Sequence, residues 1–518
     1  MRVNRITWKR IVIEYLMILL LCIAAVIPSS ARLSSTIWDE VIIEYASQID
    51  NYSGIQRWFF DSGWFQQYYQ IYFIGWIAKL FNISYVFINI LITTIILYLM
   101  TIEVLWLARN KLQLDKFWQI FVALIFILAP TWSLLVSAVM TYHFICLYLG
   151  LIGVRLIQSK SGLRFVGIII LLLAFGYPGN LLFIPALSLF YDLVHQSSEG
   201  YDKIILSKSS YFIFFIAVIY FFASNQLFPS TGKYNDYNSL RNIFTPNGVK
   251  KFILGALKYA SYLIPAFPAI IVYILNVKSL VKKSGKYDWL QIKKLCALLL
   301  LLIASIFSFL AVGKSTYLFD VKDWNNRKAF VYIIPIVMLY GTLLSIIDKG
   351  KLKHHYTIRI ISKLTIIFDV ILFGALTVSS HFNRINRRVF ENELSTEISA
   401  MKEEIPEGRI LLIGESPIPN MRIYESNYMF YKIYGNANRW SKVTKSDLPN
   451  FEIYSYLEQP GYQLQYIYNK NEKYDNKLTI IKYEIDGFDT MIDIIKNAIG
   501  LENEDRSVRL IEIKKVSE

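Results

Sequence analysis

Long apolar runs alternate with short polar stretches from residue 11 to about residue 380, and beyond that point the long runs stop. Runs of this length predict membrane-crossing helices, because a segment in lipid must satisfy its backbone polar groups internally. The first covers 11–27, behind Arg2, Arg5, Lys9 and Arg10. A positive flank of this kind also precedes signal peptides, but Ala24-Ala25-Val26-Ile27-Pro28 is a weak cleavage site and many spans follow, so an uncleaved helix is expected. Ten more spans are expected at about 85–107, 117–129, 134–154, 165–175, 181–194, 211–225, 252–276, 295–312, 329–347 and 360–380. Residues 64–80 are different. Gln66, Gln67, Gln70 and Lys79 interrupt an aromatic run, which predicts an amphipathic helix lying in the interface.

Loop charge decides between topologies. With eleven spans and a cytoplasmic N-terminus, the cytoplasmic loops hold 23 basic residues and the longer outer loops hold ten. Making 64–80 a span would move Arg109, Lys111 and Lys116 outside and invert every later loop. The expected arrangement is therefore a multi-pass plasma-membrane protein with residues 1–382 as a transmembrane unit and 28–84 as its first outer loop. Residues 383–518 fall outside the membrane. They are polar and Tyr-rich, with strands expected at 409–414, 477–483 and 508–513 and a helix at 490–498, which makes a small extracytoplasmic α/β domain. The fold class is thus α-helical polytopic with a C-terminal α/β domain. Pro28, Pro130, Pro178 and the turn Gly176-Tyr177-Pro178-Gly179-Asn180 fall near the outer face, either around an outward-opening cavity or as tight hairpin turns.

Composition agrees with the pattern: 55% of the 518 residues are apolar, 16% aromatic and only 18% charged. The formal charge of +15 is accounted for by basic cytoplasmic loops and does not require a nucleic-acid partner. Cys22, Cys146 and Cys296 lie in apolar runs, which argues against a disulfide framework or a Cys-based metal site. The five histidines lack metal-ligand spacing, and His354-His355 sits in a basic loop. Glu14, Glu103 and Asp369 fall within spans; the first two lie near cytoplasmic ends.

The densest chemistry is Thr36-Ile37-Trp38-Asp39-Glu40-Val41-Ile42-Ile43-Glu44-Tyr45, with three carboxylates just past the first span. Acids at the lip of an apolar bundle cost free energy through desolvation and like-charge repulsion. One reading is a carboxylate kept for taking a proton from an attacking hydroxyl. The other is a solvated loop whose acids cap a short helix.

Trp38-Asp39-Glu40-Val41, the aromatic stretch Gln67-Tyr68-Tyr69-Gln70-Ile71-Tyr72 through Phe81-Asn82-Ile83-Ser84, and Arg327-Lys328-Ala329-Phe330-Val331-Tyr332-Ile333-Ile334-Pro335 occur in this order and on this side of the membrane. The arrangement resembles the GT-C class of membrane glycosyltransferases, among them the protein O-mannosyltransferases and the aminoarabinose transferases of lipid A. The resemblance implies inverting transfer of a sugar from a polyprenyl-phosphate donor to an acceptor hydroxyl on a glycan, lipid or protein, in cell-surface polysaccharide assembly. It implies Asp39 as general base, with Glu40 orienting the acceptor or a neighbouring cation. Asp61 is expected to serve acceptor binding, a metal, or the capping of a helix at Trp64. Arg327 is expected to hold the donor phosphate or to anchor the interface with Trp324. Tyr68, Tyr69 and Arg241 are further substrate-binding candidates, with Lys233 and Lys314 weaker ones. A divalent cation, Mg or Mn, is the one cofactor to consider.

Two other classes stay open. An O-antigen-type polysaccharide polymerase would rely on large basic loops between late spans rather than on an acidic first loop. A lipid-linked-sugar flippase or transporter would show paired halves with matching broken helices, and no such duplication is visible.

Overall fold

A computed structural model describes residues 5–30, 39–159, 162–199, 207–231, 243–284, 286–320, 324–349, 355–405, 409–414, 423–435, 441–444, 478–485 and 508–516. Helix α1 (Arg5–Val26) leads into two short helices, α2 (Asp39–Gln48) and α3 (Tyr52–Asp61), and then α4 (Phe65–Phe81). The bundle continues with α5 (Tyr85–Trp106), α6 (Lys116–Ile127), α7 (Ala138–Gln158), α8 (Arg164–Ala174), α9 (Asn180–Glu199) and α10 (Lys208–Leu227). It is completed by α11 (Pro246–Ala260), α12 (Phe267–Ser284), α13 (Lys286–Leu310), α14 (Phe330–Lys349) and α15 (His355–Ala400).

Every apolar run of the sequence is helical. Among the described residues six helical segments are long and apolar enough to cross a membrane: Tyr85–Lys111, Val139–Gln158, Lys208–Leu227, Gln291–Leu310, Asn325–Asp348 and Ile360–Ala400. A seventh is the pair Pro246–Leu263 and Phe267–Leu275, bent by 86°. The other four of the expected eleven, Val12–Val26, Lys116–Ile127, Arg164–Ala174 and Asn180–Val194, are apolar helices of 10–17 residues, shorter than the ~20 residues a hydrocarbon core of ~30 Å takes. Helix α4 is in neither group. It buries Gln67, Ile71, Ile74 and Ala78 and exposes a stripe of Tyr69, Tyr72, Phe73, Trp76 and Leu80.

Helix α14 is the centre of the packing, since 94% of its apolar window is buried. It also explains how the break between α11 and α12 is tolerated. Tyr332 donates to the Tyr259 carbonyl at 3.3 Å, and Tyr340 donates to the Tyr262 carbonyl. Irregular backbone inside a bundle survives where protein groups satisfy it, as these two hydroxyls do. The two acids near cytoplasmic ends are paired: Lys116 donates to Glu14 at 2.6 Å, and Arg155 to Glu103 at 2.7 Å. Asp369 is fully buried with no hydrogen-bond partner for either oxygen among the described residues.

The change of composition at Asn383 falls inside α15, which runs unbroken for 46 residues from the bundle into the polar region. There Phe390, Leu394 and Ile398 of α15 pack against a sheet of order β2-β1-β3-β4. The strands are β1 (Arg409–Ile413), β2 (Ser441–Thr444), β3 (Leu478–Ile485) and β4 (Val508–Val516), with β1 parallel to β2 and β3, and β4 antiparallel to β3. Between β1 and β2 lies α16 (Ile423–Tyr434), a helix absent from the sequence expectation although a parallel crossover calls for one. The helix expected at 490–498 lies outside the described residues.

Candidate functional site

Helix α2 begins at Asp39, so Asp39 and Glu40 occupy its first turn, where a helix dipole favours negative charge. The side chains of these two acids lie outside the described part of the structure. The rest of α2 is embedded: Val41, Ile42, Ile43, Tyr45 and Ala46 are buried, and the helix packs against α7. A solvated loop would bury none of these. Near its far end, Gln48 donates to the Tyr428 hydroxyl of α16 at 3.0 Å.

Asp61 closes α3 rather than opening α4. Its carboxylate faces Arg57 at 3.9 Å, and its carbonyl accepts from the Thr231 amide at 2.7 Å, while Trp64 takes the N-cap position of α4. Tyr68 is half-buried among the rings of Phe60, Tyr69 and Tyr72, and burial pushes its hydroxyl pKa up. Tyr69 is exposed on the aromatic stripe. No described contact joins these three residues to the cations below. Arg241 and Lys233 lie outside the described residues.

The cations come from the connection between α13 and α14. Lys328 is buried, and its ammonium donates to the Ser315 carbonyl at 3.4 Å and to the Asn325 side-chain oxygen. Lys314 is pushed down to about 7 by burial first, and then by the charges of Arg327 and Lys328. Arg327 is half-buried in a 3-10 turn, Trp324–Ala329. This turn packs against the turn Pro130–Val136, which in turn meets Ile27–Ser30 at the end of α1.

Within electrostatic reach of Arg327 lie His143 of α7 and Tyr177 of the α8–α9 turn. The two rings stack with centroids 4.6 Å apart and planes 28° apart. Burial pushes the Tyr177 hydroxyl up, and the Arg327 charge pulls it partly back. The local sequence explains why Tyr177 is held there. Asn180 donates to the Cys146 carbonyl at 3.0 Å and the Ala174 carbonyl at 2.8 Å, which ties the turn to α7 and α8. A Cβ on Gly176 would stand 2.1 Å from both the Gln66 amide oxygen and the Tyr142 hydroxyl, so any side chain there forces those groups to shift. Gln66 completes the junction: it accepts from Tyr142 at 3.2 Å and donates to Tyr220 at 3.1 Å, fastening α4 to α7 and α10.

The structure therefore draws Arg327 and Lys314 together and adds Lys328, His143 and Tyr177. The sequence carried a signal for some of these: a His in apolar surroundings, and a Pro-Gly turn. Three cations on one partly buried loop suit a phosphate group, since a guanidinium and an ammonium hydrogen-bond its oxygens with charge assistance. Among the described residues no three His, Cys, Asp or Glu side chains converge on a common point.

No family model matches the chain, and no curated protein does. A solved structure described as ArnT from Cupriavidus metallidurans bound to undecaprenyl phosphate aligns over 93% of this chain and 94% of that one, at 10% identity and a TM-score of 0.37.

Proposed function

We propose that the protein is a membrane glycosyltransferase that moves a sugar from a polyprenyl-phosphate donor to an acceptor hydroxyl at the outer face, in the assembly of a cell-surface glycan. The observation that carries this reading is the gathering of Lys314, Arg327 and Lys328 on one connection, with the stacked His143–Tyr177 pair within electrostatic reach of Arg327. A lipid-phosphate headgroup arriving along the membrane would meet that cluster, while its chain would stay among apolar helices.

In the proposed reaction the acceptor oxygen attacks the anomeric carbon as the bond from that carbon to the phosphate oxygen breaks. Asp39 takes the acceptor proton as general base, and inversion follows from the single displacement. The charge that grows on the departing phosphate falls to Arg327 and the two lysines, a preorganised electrostatic contribution that counts for more in a partly buried site than in water. Glu40 is assigned to acceptor orientation. Asp61, Tyr68 and Tyr69, together with Arg241, are left as substrate-binding candidates.

The test is transfer in vitro from a panel of polyprenyl-phosphate sugars by the full chain in nanodiscs. Asp39→Asn is expected to abolish transfer with insertion and expression unchanged, and Arg327→Ala to weaken donor binding. Retained transfer by Asp39→Asn removes that residue from the base role. Failure of every donor in the panel overturns the reading.

A further inference from the structure

Resting on the proposed reading, we infer that the polar C-terminal region sets the position of the acidic helix, with Tyr428 and Arg387 as positioning residues for Asp39. Helix α2 has ten residues, too few to hold itself in place as an isolated helix. Its location is decided by what packs on it.

One of those partners is α16. The Tyr428 hydroxyl accepts from Gln48 at 3.0 Å and lies in hydrogen-bonding reach of the Glu44 carboxylate, to which it donates. Residues 44 and 48 are one turn apart on the same face of α2, so a single hydroxyl holds two successive turns. Burial, and then Glu44, push the Tyr428 pKa up, which keeps the proton available for that bond. Beside it, the Tyr45 and Tyr431 rings meet edge to face at 5.0 Å, and Tyr431 stacks on Tyr428.

Helix α16 is itself fixed to the bundle. Arg387 of α15 donates to Glu425 of α16, with both side chains buried, and to Glu391 at 2.8 Å. Because α15 is continuous from the bundle to Ala400, the path from membrane helix to acidic helix runs through α15, Arg387, Glu425, Tyr428 and Gln48. Asp39 stands nine residues from Gln48, roughly 13 Å along the helix axis. A tilt of about 5° at the Gln48 end moves the Asp39 end by roughly 1 Å, a displacement that costs on the order of 100-fold in rate when it falls on a reacting group.

The experiment compares Tyr428→Phe, Arg387→Lys and Asp39→Asn in the full chain, measuring kcat and donor KM on polyprenyl-phosphate sugar and, separately, backbone hydrogen exchange over residues 41–48. Tyr428→Phe keeps the ring and loses the hydroxyl. It is expected to lower kcat tenfold or more with donor KM unchanged, and to speed exchange in α2 without lowering the melting temperature. Arg387→Lys, which keeps a charge but loses the two-pronged contact, should fall between wild type and Tyr428→Phe. Wild-type kcat in Tyr428→Phe with an inactive Asp39→Asn overturns the positioning role and leaves the proposed reaction standing. A joint loss of kcat, KM and melting temperature reduces Tyr428 to a folding contact and also overturns it. An active Asp39→Asn refutes the proposed base. If no donor is turned over, unchanged exchange in α2 is the result that defeats the inference.

Discussion

Gly176→Ala tests the junction that fastens α4 to the bundle. The residue sits in the α8–α9 turn at a negative φ, so alanine meets no backbone strain and the whole effect is steric. Its Cβ would lie 2.1 Å from the Gln66 amide oxygen and 2.1 Å from the Tyr142 hydroxyl. The two neighbours differ in what they can do. Gln66 is half-buried and flexible, and it can swing away at the cost of its bonds to Tyr142 and Tyr220. Tyr142 is buried on α7 and its ring cannot rotate clear without displacing the turn. Two interhelical hydrogen bonds inside a membrane bundle contribute about 0.6 kcal/mol each, and crowding a packed site costs about 1–3 kcal/mol. The expected loss is therefore about 2–4 kcal/mol. The assay is unfolding by SDS titration from dodecyl maltoside, followed by tryptophan fluorescence. Gln66→Ala alone should cost about 1 kcal/mol, and Gln66→Ala combined with Gly176→Ala should cost less than the sum, because the first substitution removes one of the two clashes. Strict additivity, or a Gly176→Ala protein as stable as wild type, would refute the packing argument.

Two further outcomes follow from the charged groups. Lys314, at about 7 in the fold against an ordinary 10.5, holds its proton less well than in the unfolded chain, and a bound phosphate draws the proton back. Binding of a polyprenyl phosphate should therefore weaken as pH rises from about 7 towards 10.5, by at most about tenfold per unit. Lys314→Arg should flatten the profile, and a wild-type profile that is already flat over that range would remove Lys314 from the site. Arg155→Ala leaves Glu103 buried without its cation and strips a guanidinium from the Trp106 ring, 4.3 Å away. A loss of about 2–3 kcal/mol is expected in the same SDS titration, at the low end for a broken buried pair because the Arg155 side chain is 40% exposed. Adding Glu103→Gln should restore most of it.

Hydropathy along the chain determined where the bundle helices are, because in lipid an apolar run has no alternative to internal hydrogen bonding. Strands β1, β3 and β4 were legible as short β-branched runs. The acidic stretch was visible as a candidate, and its place in a helix with a buried apolar face follows the Val41-Ile42-Ile43 and Tyr45-Ala46 spacing.

The tertiary structure decided which connections meet. Lys314 and Arg327 are 13 residues apart in sequence, and neither is near His143 or Tyr177, so no local pattern announces the cluster. The docking of α16 on α2 joins Gln48 to Tyr428 across 380 positions, and the pairing of Glu14 with Lys116 spans 102. These contacts exist because helix packing, rather than spacing along the chain, brings loop ends together. Local propensity and periodicity report how a segment satisfies its own backbone, whereas a binding site is made from groups that several segments leave over at one end of the bundle.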